Sequence, residues 1–338
     1  MEQQKQVTPE RILQMAWGYA PTLILEAAVR NKVFDTLDSG PKTIDEVAAA
    51  TGASTRGLRA IMNALVGFEF LKPDGNGKYE LTPESSTFLV STKPSFVGGM
   101  AAHTSQQLIP PWLQLSEVVA TGKPASSVNR EDGGEAFFQV LVSNIFSMSY
   151  PPAKALAQHL SLGESGPPVR VLDIGAGSGV WSIALAQSSP RVKVTAVDWP
   201  GVLPITQKTA DRFGVGDRYT MLPGDLGTVD FGRDYNIITI GHILHSEGVE
   251  RSKKLLRKCF DALAPGGTVV IQEFLVNPER TGPPMGLIFA VNMLVNTDNG
   301  DTWSFQEIGG WLKEVGFTNP RQLDTPGPSP LILATKPS

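Results

Sequence analysis

The chain of 338 residues is long enough for one large domain or two ordinary ones, and its apolar fraction of 41% supplies a buried core. With 29 basic against 33 acidic residues the formal net charge is −4, which excludes a global field drawing the chain to nucleic acid or anionic lipid. The single cysteine, Cys259, excludes an internal disulfide and falls in a helical pattern, where it reads as a small core residue.

Residues Met1 to Gln6 are polar and lack the apolar stretch of a signal peptide. No apolar run reaches the about 20 residues a bilayer requires. The densest, Gly286 to Val295, is short and contains Asn292. A soluble, cytoplasmic protein without membrane partners is the expectation.

Residues 11–37 read as helix, with Ile12, Met15, Ala16, Tyr19, Leu23 and Ala27 near helical spacing and a break or kink at Tyr19-Ala20-Pro21. Thr43 caps the next helix, Glu46 completing a capping box, and that helix ends near Thr51-Gly52. Ser54 caps a second helix running to about Leu65. Phe70-Leu71-Lys72 and Lys78 to Leu81, around the turn Pro73 to Gly77, form a hairpin. Two short helices and a hairpin make a winged helix. Residues 1–95 hold ten Lys/Arg against eleven Asp/Glu, so the basic footprint of a DNA reader is missing and dimerisation is the better reading.

Residues 96–165 read as a helical connecting and pocket region, rich in rings (Phe96, His103, Trp112, Phe137, Phe138, Phe146, Tyr150) and punctuated at Gly122-Lys123-Pro124 and Asp132-Gly133-Gly134. Gly163 to Pro168 is the best candidate boundary. From there strands at 169–174, 192–197, 219–222, 235–240, 268–272 and 330–334 alternate with helices near 179–188, 203–213, 248–263 and 304–315. That alternation predicts a mostly parallel sheet covered on both faces, over 166–338.

The chemistry concentrates where the first of those strands meets its helix, at Asp173-Ile174-Gly175-Ala176-Gly177-Ser178-Gly179. Glycines let backbone approach a ligand, and a helix start offers unpaired N–H groups. A dinucleotide fingerprint needs G-x-G-x-x-G, whereas position 180 is Val. Asp173 would repel a pyrophosphate but suits a cationic amino-acid end. Asp198 closes the next strand, where an acid pairs with ribose hydroxyls. A ligand with a ribose, an ammonium and no phosphate satisfies all three, and S-adenosylmethionine is such a ligand. Gly224-Asp225-Leu226 closes the third strand, where Asp225 can reach the adenine amino group or merely make a turn, and Trp199 follows Asp198.

These motifs, with Ile243-Leu244-His245, Leu263-Ala264-Pro265-Gly266-Gly267 and Trp311 to Phe317, resemble the S-adenosylmethionine-dependent small-molecule O-methyltransferases of the caffeate, hydroxyindole and bacterial polyketide type. The resemblance covers nearly the whole chain. It implies an α/β fold, a Rossmann-like seven-stranded methyltransferase domain with its last strand antiparallel, preceded by a mostly α-helical winged-helix dimerisation domain. It also implies a homodimer, S-adenosylmethionine converted to S-adenosylhomocysteine, and a small-molecule acceptor. His245 matches the family's general base. Glu273 matches its acid at the end of the fifth strand and is the first choice to orient that base, with Asp298 and Asp301 as alternatives. Ser246 and Glu247 stand where the family has an acid and Trp, and Thr302 stands where it has a second acid. The helix carrying Met285, Phe289 and Met293 matches the family's acceptor-pocket helix; His103, Trp112, Phe146, His242 and Trp303 are further pocket candidates. The four histidines and one cysteine show no zinc-like spacing, so no metal is expected. The expected reaction is methyl transfer to a hydroxyl of a small organic acceptor. Its alternatives are a sulfur, nitrogen or carbon acceptor needing no essential base, non-methylating chemistry on the same cofactor, and a regulator that senses it.

Overall fold

The computed structural model describes residues 7–128, 131–327 and 329–338, without the side chains of 131–133 and 143; Met1 to Gln6 lie outside the described residues. The chain divides into two compact units at Ile109/Pro110. The stretch 96–165 is therefore shared between the two, and Gly163 to Pro168 lies inside the second unit.

In the first unit the helical stretch expected over 11–37 is three helices, Glu10–Ala16, Tyr19–Arg30 and Val33–Leu37. The break falls at Trp17-Gly18, and Pro21 sits in the first turn of the second helix, where its missing N–H costs nothing. Helix Ile44–Thr51 starts with the expected capping box: Thr43 N donates to Glu46 Oε2 (2.7 Å) and Glu46 N to Thr43 Oγ1 (3.2 Å). Ser54 Oγ accepts from Gly57 N (3.1 Å) at the start of Thr55–Gly67. Strands β1 (Leu71–Pro73) and β2 (Tyr79–Leu81) pair antiparallel, Leu71 opposite Leu81. The apolar faces of these elements close on Phe34, Val47, Leu58, Met62, Leu65 and Leu71, all buried. Residues Glu10–Arg30 are also the one described stretch whose length and mean hydropathy (1.2) meet the test for a membrane-crossing helix, which corrects the expectation that no run does. The break at Trp17-Gly18 and the charged Glu10, Arg11, Glu26 and Arg30 argue for a helix pair with an uncovered apolar face.

The second unit is built on a seven-stranded sheet: β3 (Val169–Ile174), β4 (Val192–Asp198), β5 (Tyr219–Pro223), β6 (Tyr235–Gly241), β7 (Leu263–Gln272), β10 (Thr318–Leu323) and β11 (Leu331–Thr335). A two-residue pair, β8 (Leu275–Val276) with β9 (Trp303–Ser304), lies apart from it. The order is β10-β11-β7-β6-β3-β4-β5, and β11 alone runs antiparallel to its neighbours. β10 is absent from the sequence pattern because it is an edge strand, mostly exposed and interrupted by Pro320, so it carries no apolar run.

Alternate residues of each central strand enter opposite cores, as a period of two demands. Val171, Val194 and Ile237 pack with helices Glu131–Leu160, Val180–Ser188 and Leu203–Arg212. Leu172, Ile238 and Ile240 pack with Leu244–Ala262 and Phe305–Val315. Cys259 belongs to this second core, and burial pushes its thiol up to about 12, as fits a packing residue. The expected punctuation at Asp132-Gly133-Gly134 is not a break, because helix Glu131–Leu160 runs through it. Gly134 packs against the Trp199 ring and leaves no room for a Cβ, so its small size serves contact.

Candidate active site

The strand order switches at β3, with β4 and β5 added on one side and β6 on the other, so a crevice opens at the carboxyl ends of these parallel strands. The glycine loop sits there. Gly175, Gly177 and Gly179 have φ of 61°, 55° and 75°, a backbone that side chains with a Cβ disfavour. Space is equally restrictive: a Cβ on Gly175 would lie 2.5 Å from Ile243 Cδ1, and one on Gly177 3.0 Å from Val142 Cγ1. The helix then begins at Val180, its first amides turned toward the loop.

Two acids organise this cradle. Asp173 is buried and accepts from Ser182 Oγ (2.5 Å) and Thr239 Oγ1 (2.7 Å), with Tyr219 OH donating to Ser182 Oγ (2.9 Å). Burial pushes its carboxyl up to about 6 against the pull of those hydroxyls. In these contacts Asp173 ties β3 to β6 and to the helix after the loop. Asp198 accepts from Gly177 N (2.7 Å) and Trp199 N (2.8 Å) and is likewise raised by burial to about 6. Asp225 accepts from Gly227 N (2.8 Å), so it makes a turn, and Gly224 before it (φ 155°) packs on Val229.

The sequence reading missed the residues that brace this cradle. Lys258 Nζ donates to the carbonyls of Leu226 (2.6 Å) and Val229 (2.8 Å), holding the loop that carries Asp225. From helix Glu131–Leu160, Gln139 Nε2 donates to Gly201 O (3.1 Å), Glu135 accepts from Gly201 N, and Phe138 meets Trp199 at 5.7 Å between centroids. The Lys258 contacts join residues 29 and 32 apart, and the Gly201 contacts residues 62 and 66 apart, so they carry no local pattern.

The second constellation lies just past β6. His245 Nδ1 is 2.7 Å from Glu273 Oε2, and His245 N donates to Glu273 Oε1 (3.3 Å), with both residues buried. Burial works to raise Glu273, but the charge and hydrogen bond of His245 hold it below its usual value. Among the acids expected as partners, Glu273 is the one seen bonded to the ring. Asp301 instead pairs with Arg280 (3.3 Å) and caps Thr302 N (2.7 Å). Thr302 is fully buried, its hydroxyl on Gly286 O (3.2 Å), so this position has become packing. His242 stands beside the pair, its Nδ1 3.9 Å from Glu273 Oε2. His242, His245 and Glu273 have ligand-type atoms within 4.8 Å of one another. His245 Nδ1 is hydrogen-bonded to Glu273 within this group, and the spacing of the three is one that could also hold a metal ion.

The pocket candidates divide. Phe289 meets the His245 ring edge-on at 4.9 Å and Phe274, which the sequence reading did not single out, at 4.1 Å. Trp112 Nε1 donates to Asn292 Oδ1 (2.8 Å) on the same helix as Phe289. On that helix Met293 is buried and Met285 exposed. Trp303 is a support: buried, it donates to Leu244 O (3.1 Å) beneath the histidine turn and packs on Trp311. Phe146 meets Tyr150 and Phe213, away from the rings around His245. His103 belongs to the first unit, where Nδ1 meets Gln107 Oε1 (2.6 Å) and burial lowers its pKa.

A glycine cradle with an acid closing the next strand, at a sheet edge that also carries a His–Glu pair, is the arrangement of a nucleoside-cofactor transferase domain of Rossmann-like fold. Family comparison narrows this. Residues 154–318 match the O-methyltransferase domain and residues 13–91 the O-methyltransferase dimerisation domain. The chain is 28% identical to the tetracenomycin polyketide synthesis 8-O-methyl transferase of Streptomyces glaucescens over 97% of both chains. It is 34% identical to the L-tyrosine C(3)-methyltransferase of Streptomyces lavendulae over 49% of this chain and 47% of that one. A crystal structure of a candidate O-methyltransferase from Nostoc punctiforme superposes with a TM-score of 0.90 at 28% identity, covering 98% of this chain and all of that one. The chain belongs to the O-methyltransferase family and is a methyltransferase.

Proposed function

We propose that this enzyme moves a methyl group from S-adenosylmethionine to a hydroxyl oxygen of a small organic acceptor, with His245 as general base and Glu273 as the group that orients it. When bound, S-adenosylmethionine supplies an activated methyl on a sulfonium. The residues present fit it: Asp198 offers carboxylate oxygens already fixed by two backbone amides, the left-handed glycines leave backbone room, and Leu226 and Asp225 border the same crevice.

The observation that carries the proposal is the 2.7 Å contact between His245 Nδ1 and Glu273 Oε2 inside the protein. Nδ1–H donating to the carboxylate fixes one tautomer and leaves Nε2 as the basic nitrogen. Removal of the hydroxyl proton by Nε2 turns the acceptor into its nucleophilic form, and the carboxylate offsets the charge that forms on the ring. Phe289 meets that ring and Phe274 packs on Phe289, apolar surfaces that favour a flat acceptor. The test is kcat for His245→Ala on any acceptor that turns over. A loss of about 10²–10⁴-fold supports the base, and an unchanged rate removes it.

The 34% identity to a carbon methyltransferase favours a second reading, with an acceptor carbon on the same scaffold. The position of the new methyl group in the product, read by NMR, separates the two. We also propose that the matched dimerisation domain makes the chain a homodimer and that its near-balanced charge serves protein contact rather than phosphate contact.

A further inference from the structure

The geometry points to an acceptor that carries two oxygens on neighbouring positions: His245 takes the proton of the one that is methylated, and His242 holds the other. This rests on the reading of His245 as base.

His242 occupies an expensive place. It follows β6 with φ 58°, in the left-handed region that residues with a Cβ avoid and that persists where surroundings enforce it, often at functional sites. Its ring lies on Phe274 (4.8 Å between centroids) and 5.9 Å from the ring of His245. Both imidazoles turn their Nδ1 edges to the same carboxylate oxygen, Glu273 Oε2, at 2.7 Å and 3.9 Å. His245 Nδ1 is bonded to Glu273, and His242 Nδ1 is buried 3.9 Å from the same oxygen, while the Gln272 side chain adds a hydrogen-bonding interaction to the His242 ring. The His242 side chain is 25% exposed and that of His245 10%, and no hydrogen bond of either Nε2 is seen among the described residues.

Burial pushes His242 down to about 4, so it is neutral near pH 7 and acts as a hydrogen-bonding group rather than a charge. When a flat acceptor displaces water from these rings, an acceptor with one oxygen satisfies His245 and strands His242. Leaving a desolvated polar group unpaired costs more than the hydrogen bond would have contributed. Two oxygens on adjacent ring positions, each about 2.8 Å from its nitrogen, fit between imidazoles at this separation.

The test measures binding of naphthalene-2,3-diol against 2-naphthol, and catechol against phenol, by calorimetry with S-adenosylhomocysteine present. Each diol should bind wild type about tenfold more tightly than its mono-ol. His242→Gly, which the left-handed backbone accepts, should bring the ratio close to one chiefly by weakening the diol. His242→Asn, equally suited to that backbone, should recover part of it. Equal binding of diol and mono-ol by wild type, an undiminished ratio in His242→Gly, or no binding of any probe overturns the proposal. Failure of the base assignment reads elsewhere, in methyl transfer by His245→Ala, so the two are separable.

Discussion

Asp198 presents a carboxylate whose two backbone partners favour its charged form while burial opposes it, and burial wins, with the carboxyl raised to about 6. On the proposal that Asp198 receives the ribose hydroxyls in its ionised form, binding of S-adenosylmethionine below pH 6 should take up the cost of releasing a proton, and affinity should fall about tenfold per pH unit there. Above pH 6 the group is already charged and affinity should be flat. Calorimetry from pH 5 to 8 checks this, and Asp198→Asn should bind weakly and lose the slope. A slope that survives in Asp198→Asn would move the titration to Asp173, which burial also raises to about 6. At the other constellation, the proposed mechanism has Glu273 act through His245 and not on the acceptor. Glu273→Gln should lower kcat about 10–100-fold with little change in cofactor affinity, a smaller loss than His245→Ala, and kcat and Kd measured side by side give the split.

The loop between β3 and its helix is the element on which the site depends most. At Gly175 two constraints coincide: φ of 61° and an Ile243 methyl 2.5 Å from where a Cβ would stand. Gly175→Ala should cost about 1–2 kcal/mol from backbone conformation alone, lower the melting temperature by several degrees and weaken S-adenosylmethionine binding at least tenfold. Adding Ile243→Ala should relieve the contact but not the backbone, so rescue is partial; full rescue would show that the contact alone mattered. This loop was legible in the sequence because its chemistry is local, and so were the caps at Thr43 and Ser54, where a side chain answers an amide three residues on. The helix expected from 248 was legible too, since Gly248, with φ 71° and ψ 172°, separates it from the turn bearing His245. Elsewhere the local pattern carried less. Phe274 follows Glu273 at the end of β7, and only the fold brings it to Phe289 and His242. Glu135 and Gln139 escaped for the same reason, since their partner Gly201 is in contact through tertiary structure alone.

At the scale of the molecule, the first unit leaves a face that one chain does not cover. Ile12, Leu13, Met15, Trp17 and Tyr19 are exposed by 57–73%, and Trp17 stacks on Tyr19 at 6.2 Å. Contiguous apolar surface of this kind is unfavourable in water unless a partner covers it. The same residues give Glu10–Arg30 its membrane-like hydropathy, and the matched dimerisation domain begins at residue 13, within them. A second copy of the chain is the occupant that satisfies both facts, and association at such a face is driven by the apolar area it removes from water. Sedimentation of the full chain should accordingly give a dimer, while Ile12→Glu combined with Trp17→Glu should shift it to monomer by placing unpaired charges in the interface. Neither residue enters the cores of the first unit, so the variant chain should keep its folded melting transition. If the double variant stays dimeric, the interface lies elsewhere, and the apolar face must be answered by another surface such as a membrane, which flotation with vesicles would detect. If it becomes monomeric and methyl transfer falls as well, the loss can be read against cofactor binding. Binding retained with activity lost would mean that the second copy completes the acceptor side of the site, because the glycine cradle and the His245–Glu273 pair lie wholly within the second unit of a single chain.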